Sequence, residues 1–240
     1  MSKNYNDVSG LLLLDKPLNI TSFKVTHRIK KILNVEKTGH CGTLDPLATG
    51  LLLILVGKAT KLQYKFMKED KVYVSSFLLG VVTDTGDLGG KIIFKKNISS
   101  INFENVKKAI RLFKGEIFQI PPMYSALKNK GIKLYELARQ GIEIERSPRK
   151  VVIKNFDLLS YGGNVARVRI ECSTGTYIRS LARNLGDVLG CGATVKTLRR
   201  EKIGVFNIKD ALKFEYAEDV EAVKSRFINY EKLLEWLKNQ

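Results

Sequence analysis

The apolar residues of this 240-residue chain form short runs separated by polar, glycine-rich stretches. Continuous or alternating apolar runs of this length are typical of strands, particularly where a turn signal ends them. They predict strands over 10–15, 51–56, 72–82, 151–159, 165–172 and 195–205. The segment Tyr161-Gly-Gly-Asn164 separates two of these runs and predicts a hairpin.

In other segments the apolar residues recur every three or four positions, as they do on the buried face of a helix. This spacing predicts helices over 22–33, 102–113, 131–140 and 176–189, and a helical tail over 206–240. Thr21 or Ser22 can cap the first helix, and Gly141 has the position of a C-cap. Residues 34–50 hold three glycines and one proline, so we expect a long ordered loop there.

The predicted strands and helices interleave irregularly, and hairpin signals outnumber signals for parallel crossovers. The sequence therefore predicts an α+β fold with a mixed, largely antiparallel central sheet flanked by helices. No internal repeat and no linker rich in proline or serine divides the chain. We accordingly expect a single domain over residues 1–240.

The charge is strongly positive, with 41 Lys and Arg against 24 Asp and Glu and a formal net charge of +17. Residues 1–204 carry +18, whereas residues 205–240 carry −1. The basic residues are spread over predicted elements and form no block of like charges, which excludes a disordered basic tail. One group that we expect on a basic surface is Lys196, Arg199, Arg200 and Lys202. Two interpretations remain, a solvated basic face and a folded surface that neutralises nucleic-acid phosphates, and we favour the second.

Several other classes of protein are excluded. The longest apolar runs, 11–14 and 51–56, are far shorter than the ~20 residues of a membrane span. The N-terminal residues contain no apolar core of a signal peptide. The sparse cysteines and histidines form no C-x-x-C pair and no histidine cluster, so we expect a reducing cytoplasm, no disulfide framework and no metal site.

Residues 39–50 combine three glycines with an Asp-Pro pair. The glycines allow the backbone to approach a ligand closely. Pro46 fixes the backbone directly after Asp45 and keeps Asp45 out of the helical region. A carboxylate presented by such a loop can be a nucleophile, a general base or simply a turn residue, and the spacing alone does not decide.

The loop Gly39-His-Cys-Gly-Thr-Leu-Asp-Pro-Leu-Ala-Thr-Gly50 belongs to a series of ordered motifs. The others are Leu13-Leu-Asp-Lys-Pro17, Lys71-Val-Tyr73, Thr83-Asp-Thr85, Pro122-Met-Tyr-Ser-Ala-Leu-Lys128, the glycine-bounded segment 131–141, Ser173-Thr-Gly-Thr-Tyr-Ile-Arg179 and Leu198-Arg-Arg200. This series resembles the TruB family of tRNA pseudouridine synthases. The matches run from about residue 10 to residue 205, which is most of the chain.

The resemblance implies the pseudouridine synthase fold and an isomerisation. The C1′–N1 bond of a uridine breaks, the base turns, and C5 joins C1′, so no cofactor or metal is required. The implied substrate is the uridine at position 55 in the T-loop of tRNA, which must be flipped out of its stack. The implied partner is the tRNA T-arm alone. We expect a monomer that does not bind a membrane and needs no obligate protein partner or guide RNA.

The resemblance also assigns roles to single residues. Asp45 matches the catalytic nucleophile, which attacks C1′ or assists formation of a glycal. Tyr73 matches the aromatic residue that stacks on the target base and takes part in removal of the C5 proton. Arg179 matches the arginine that pairs with the aspartate. Substrate-binding roles fall to other matched positions and to lysines of an insertion at about 124–150: His40, Tyr177, Leu198, Lys130 and Lys133.

Some alternatives stay open. Cys41 stands where many relatives have threonine, and thiol catalysis beside Asp45 is a weaker alternative. We expect Lys16 to be structural or to face the RNA. Many family members continue into a C-terminal PUA domain, which we expect this chain to lack. The competing function is a non-catalytic tRNA-binding or tRNA-folding module on the same fold. A glycosidase is disfavoured because Asp45 has no matched carboxylate partner.

Overall fold

The computed structural model describes residues 8–238, and these contain seven α-helices and fifteen strands. The helices α1–α7 are Ser22–Ile32, Gln63–Met67, Phe103–Arg111, Leu134–Arg139, Ile178–Val188, Val220–Ser225 and Tyr230–Lys238. The strands β1–β15 are Gly10–Lys16, Thr38–Cys41, Ala48–Val56, Lys71–Leu79, Val81–Thr83, Ile92–Lys95, Gly115–Gln119, Lys128–Asn129, Ile132–Lys133, Arg149–Gly162, Val165–Cys172, Ala193–Ile203, Phe206–Asn207, Leu212–Lys213 and Phe227–Asn229. Between residues 8 and 238, every helix is too short or too polar to cross a membrane.

The contacts within the chain define two compact units. Unit 1 consists of the described residues of Met1–Lys71 and Arg199–Gln240. Unit 2 is Val72–Leu198. The chain passes from unit 2 back into unit 1 along β12. The prediction of a single domain over residues 1–240 stays a prediction.

In unit 1 the strands lie in the order β14, β1, β3, β12. β1 pairs antiparallel with β3, with Leu12 opposite Ile54, and β2 also pairs antiparallel with β3. β15 pairs antiparallel and β14 parallel with β1. These strands form a largely antiparallel sheet.

Both faces of β1 and β3 are buried, which explains their continuous apolar runs. On one face Leu12 and Ile54 pack with Val25 and Ile29 of α1. On the other face the core includes Leu11, Leu13, Leu51 and Leu53, and the rings of Phe66 and Trp236 stack with centroids 5.9 Å apart. The central strands of unit 1 are therefore enclosed by helices and turns on both sides.

In unit 2 the strands lie in the order β12, β4, β11, β10, β7. β10 pairs antiparallel with β11 and with β7. The hairpin between β10 and β11 turns at Gly163 and Asn164, which both have positive φ, as the sequence predicts. β5–β6 and β8–β9 form two small separate antiparallel ribbons. The predicted α+β fold with a mostly antiparallel sheet is confirmed.

Four predicted elements were wrong in part. The loop expected over 34–50 contains β2, because the backbone of 38–41 pairs with β3. The strand expected over 72–82 is interrupted at Gly80, which has φ 78°. The helix expected over 131–140 begins only at Leu134, because 128–133 form a ribbon that turns at Lys130 and Gly131. The tail expected to be helical also contains β13, β14 and β15, since two of these strands pair with β1.

Candidate active site

Asp45 lies half-buried in the loop between β2 and β3 of unit 1. The backbone N–H of Ala48 donates to the carbonyl of Asp45 at 3.0 Å, which closes a turn around Pro46. Before this turn, Ser22 Oγ accepts a hydrogen bond from Leu44 N at 2.9 Å and donates to Leu44 O at 3.1 Å. The first residue of α1 therefore clamps the backbone that leads into Asp45.

The buried ammonium group of Lys16, at the end of β1, holds the other side of the turn. Its Nζ donates to the carbonyls of Pro17 and Ile20, both at 2.8 Å, and to that of Pro46 at 3.4 Å. Burial and, less strongly, the charge of Arg200 lower the pKa of Lys16 from 10.5 to about 8, against the opposing attraction of Asp45. The lysine is thus structural, which was one of the two expectations for it.

Arg200 in β12 is a second buried cation in unit 1. Its Nε donates to Leu51 O at 2.8 Å and its Nη2 to Gly42 O at 3.0 Å. Gly50 has φ 107°, and a Cβ there would clash with the backbone of Arg200. The guanidinium therefore joins the beginning of the loop to β3, and only glycine fits beside it.

His40 and Cys41 lie on β2. Burial and the charge of Arg200 lower the pKa of His40, so its ring is neutral at pH 7. His40 Nδ1 is buried and has no hydrogen-bond partner among residues 8–238. Burial raises the pKa of the Cys41 thiol to about 12, which keeps it protonated and counts against thiol catalysis.

In unit 2 the side chain of Arg179 in α5 is only 6% exposed. Its Nη1 donates to Thr85 O at 2.9 Å, its Nη2 donates to Tyr124 O at 2.7 Å, and its Nε lies 4.0 Å from Asp87 Oδ2. Gly86, with φ 77°, lets the loop 83–90 pack directly on the arginine side chain. Arg179 is therefore held in one orientation by two backbone carbonyls and one carboxylate.

The carboxylate of Asp87 is itself held in place. Its Oδ1 accepts hydrogen bonds from Thr85 Oγ1 at 2.8 Å and from Gly89 N at 3.0 Å. Asp84 and Asp87 form an acidic pair in the sequence, but no further acidic residues follow at the spacing of a calcium-binding loop. Within residues 8–238, no group of three or more His, Cys, Asp or Glu residues could hold a metal ion. The contacts of Asp87 instead support Arg179.

The other predicted residues of unit 2 occupy three places. Tyr73 is buried in β4, and Leu198 is partly buried in the neighbouring β12. Tyr177 precedes α5, and its backbone N–H and C=O bond to the side-chain amide of Gln119 at 3.0 and 3.3 Å. Tyr177 and Arg179 are thus brought together at the start of one helix, which Gln119 fixes to β7.

Lys130 and Lys133 lie in the ribbon formed by β8 and β9, apart from the residues around α5. Lys130 is exposed at the turn, where it and Gly131 have φ values of 48° and 88°. Lys133 is half-buried, and its Nζ donates to Tyr135 Oη at 3.2 Å and lies 5.4 Å from the centre of that ring. Of the two, Lys130 has the more accessible charge.

Unit 2 also contains an open cavity of about 600 Å³ between the loop 83–86, the segments 118–124 and 138–146, and α5. Arg146, Arg179 and Arg183 line it. Arg146 donates to Glu143 Oε1 at 2.9 Å, and its Nε is buried without a hydrogen-bond partner in the described part of the chain. Asp84, Glu143 and Asp187 also line the cavity, so its three arginines are matched by three acidic residues.

The sequence did not reveal the supporting residues. Ser22 stands out only as a possible helix cap, although its buried hydroxyl serves Leu44, 22 positions away. Arg200 was assigned to the basic surface, whereas it is buried. A signal for Arg200 exists in retrospect, because it belongs to the matched Leu-Arg-Arg motif and that motif faces a glycine of the loop.

Two family models together cover most of the chain. The TruB family pseudouridylate synthase (N terminal domain) matches residues 30–178, and the tRNA pseudouridylate synthase B C-terminal domain matches residues 179–238. The chain belongs to the TruB family. The predicted family, and with it the enzyme class of pseudouridylate synthases, is confirmed.

Named relatives of this TruB-family chain include two bacterial proteins called tRNA pseudouridine synthase B. The protein of Endomicrobium trichonymphae is 66% identical over 228 residues, which are 95% of this chain and 99% of the relative. The protein of Dehalococcoides mccartyi is 48% identical over 217 residues, which are 90% of this chain and 71% of the relative. The similarity to both extends over nearly all of this chain.

Solved structures also resemble this TruB-family chain. A chain in a Cbf5-Nop10-Gar1 complex matches with a TM-score of 0.71 and 29% identity, over 93% of this chain and 60% of that chain. A chain in an H/ACA RNP bound to a substrate RNA containing 2′-deoxyuridine gives a TM-score of 0.68 and 28% identity, with the same coverage. This chain therefore spans about 60% of the length of these structural relatives. Their similarity confirms the predicted pseudouridine synthase fold.

Proposed function

We propose that this chain converts the uridine at position 55 of the tRNA T-loop into pseudouridine, with Asp45 as the nucleophile. The observation that carries the proposal is the fixed turn around Asp45. Ser22, Lys16 and Arg200 bind backbone groups on both sides of the half-buried carboxylate. The family and the names of the bacterial relatives support tRNA as the substrate.

The reaction conserves every atom of the nucleotide, so it needs no cofactor. The C1′–N1 bond breaks and its electron pair stays with the uracil, while the Asp45 carboxylate attacks C1′ or assists formation of a glycal. The uracil then turns, and C5 forms a bond to C1′. The proton on C5 leaves and N1 gains one, which yields the C-glycoside. The aspartate returns to its starting state.

The surroundings of Asp45 suit this role. The attraction between Lys16 and Asp45 opposes the lowering of the lysine's pKa by burial. The same attraction favours the ionised carboxylate that a nucleophile needs. The glycine-rich loop is organised when the chain folds rather than during the reaction, because the carbonyls of Gly42 and Pro46 are already bound. A fixed carboxylate can therefore approach C1′ with little reorganisation.

The remaining residues receive roles from the family resemblance. Tyr73 stacks on the target base and takes part in loss of the C5 proton, and Arg179 keeps the nucleophile ionised. Tyr177 and Leu198 line the uracil pocket. His40 lies beside the flipped nucleotide, where its ring is neutral. Base flipping is required because C1′ and C5 are hidden in a stacked nucleotide.

We infer that the enzyme acts on the T-arm without guide RNA or partner protein, as a cytoplasmic monomer. The structural relatives belong to complexes with Nop10 and Gar1 or to an H/ACA RNP. The bacterial relatives, one of which this chain covers over 99% of its length, carry the name of a tRNA enzyme. Exposed Lys130, together with Lys133, is suited to bind the phosphates of the T-stem.

The test measures tritium release from tRNA labelled with [5-³H]uridine, together with tRNA binding. We expect release by the natural chain and by Asp210→Asn, an exposed control, and none by Asp45→Asn with binding preserved. Undiminished release by Asp45→Asn refutes the assignment. Binding by the natural chain without any release supports the non-catalytic tRNA-binding function instead. Mapping the pseudouridine in the product tests position 55 separately.

A further inference from the structure

One face of α1 presents an aromatic ring to the solvent. Phe23 is 72% exposed, and its ring stacks on that of His27 with an interplanar angle of 12° and centroids 6.0 Å apart. Lys24 and Lys31 are also exposed, and their spacing places them on the same side of the helix. We call these four residues the α1 face. A single exposed phenylalanine is common on protein surfaces, so its surroundings must decide what it does.

The α1 face is positively charged. The helix contains four basic residues and no acidic residue. Arg28 is already engaged, because it pairs with Glu218 and lies 5.0 Å from the ring of Phe214. The exposed lysines at 24 and 31 therefore lie in a helix that offers no internal counter-charge. A surface of this kind attracts a polyanion.

The α1 face also begins next to the Asp45 turn. Ser22, the residue before Phe23, bonds to both backbone groups of Leu44, the residue before Asp45. With these bonds at 2.9 and 3.1 Å and adjacent Cα atoms about 3.8 Å apart, the Cα atoms of Phe23 and Asp45 lie within about 15 Å. The beginning of the α1 face therefore lies near the proposed nucleophile.

We propose that the α1 face is a second contact for the substrate RNA, at which Phe23 and His27 stack on an unpaired base. Lys24 and Lys31 bind the phosphates on either side of this base. The proposal rests on the proposed function, because it requires an RNA at Asp45. Flat aromatic rings between basic side chains are how proteins hold single-stranded nucleic acid, and stacking accepts any base. An acidic protein would match the charge alone, whereas the parallel rings favour a base.

The test compares substitutions on the full chain by tRNA dissociation constant, kcat, KM and salt dependence. Phe23→Ala should weaken tRNA binding about fivefold or more, since stacking on an aromatic ring contributes that much per base. Its kcat at saturating tRNA and its salt dependence should stay unchanged, and Phe23→Trp should restore the affinity. Replacing Lys24 and Lys31 with glutamine should lower the slope of log Kd against log salt by about 1.4–1.8. Tyr216→Ala, an aromatic that is 54% exposed in the same unit, is the matched control.

The outcomes separate this proposal from the isomerase itself. If Phe23→Ala binds tRNA as tightly as the natural chain, or loses no more than Tyr216→Ala, the α1 face is not an RNA contact. A lower kcat with unchanged affinity also overturns it, because Phe23 would then act only through the neighbouring clamp on Leu44. If the natural chain binds tRNA but releases no tritium, the isomerase proposal fails. In that case the tRNA dissociation constants of the α1-face variants alone decide whether this face binds RNA.

Discussion

The clamp between Ser22 and Leu44 allows the sharpest test of how the Asp45 turn is built. Ser22 is fully buried, and its hydroxyl is both acceptor for Leu44 N and donor to Leu44 O. Ser22→Ala removes one oxygen and leaves the helix otherwise unchanged. Both backbone groups of Leu44 then lose these partners at a site that water does not reach.

The expected loss of stability can be worked out from the N–H and C=O groups of Leu44. Each buried backbone group left without a partner costs about 1–3 kcal/mol, and alanine returns about 0.5 kcal/mol through its higher helix propensity. The free energy of unfolding should therefore fall by about 2–5 kcal/mol, a large part of the about 5–15 kcal/mol of a typical domain. Because Leu44 directly precedes the proposed nucleophile, kcat should also fall, by about tenfold or more.

Urea unfolding measures the stability change, and tritium release from labelled tRNA measures kcat. Ser225→Ala is the control, because this exposed hydroxyl also donates to a backbone carbonyl, that of Ala222 at 2.8 Å, but far from the turn in sequence. The control should lose less than about 0.5 kcal/mol and keep its kcat. If Ser22→Ala matches the control in both measurements, the clamp does not hold the turn and this reasoning is wrong.

Three further predictions concern charge and backbone. The pKa of Lys16 is about 8 in the folded chain and 10.5 in the unfolded chain, so the unfolded chain binds more protons between these pH values. Lys16 should therefore raise the free energy of unfolding by about 3 kcal/mol from pH 8 to pH 10.5. Urea unfolding at a series of pH values should show this rise in the natural chain and not in Lys16→Met. Gly50→Ala should cost about 2–5 kcal/mol, seen as a lower melting temperature, whereas Gly162→Ala, with open space around it, should not. Reversing the charges of Lys130 and Lys133 together should weaken tRNA binding and flatten its salt dependence, and an unchanged salt titration would show that both lysines lie off the RNA path.

The sequence predicts best those elements whose burial is uniform. β1 and β3 are apolar at nearly every position because both of their faces are buried, so their runs identify them directly. β2 escaped prediction because its residues are mostly small or polar and its pairing depends on β3, with His40 opposite Ile54. A strand that forms by adding to an existing one leaves little local pattern.

The site divides in the same way. The Asp-Pro pair and the glycines identify the loop of Asp45 from local chemistry alone. The residues that hold this loop do so across long sequence separations, as Arg200 does with Gly42 and Leu51. The sequence gives their charge but not their burial, so Arg200 was assigned to an RNA-binding surface. Ion pairs such as that of Arg199 with Asp15, at 2.6 Å, are hidden for the same reason.

The Asp45 turn is supported by two buried cations, Lys16 and Arg200. A buried ammonium or guanidinium group costs several kcal/mol unless its donors are satisfied, and neutral donors could satisfy the same carbonyls at a lower cost. Lys16 and Arg200 nevertheless use their charges on backbone carbonyls of this loop and its approaches. Stability alone does not explain this arrangement. A cation in this position fixes the backbone, and Lys16 in addition attracts the carboxylate of Asp45 more strongly than a neutral donor would. We therefore attribute this charge to the chemistry proposed for Asp45 rather than to the fold alone.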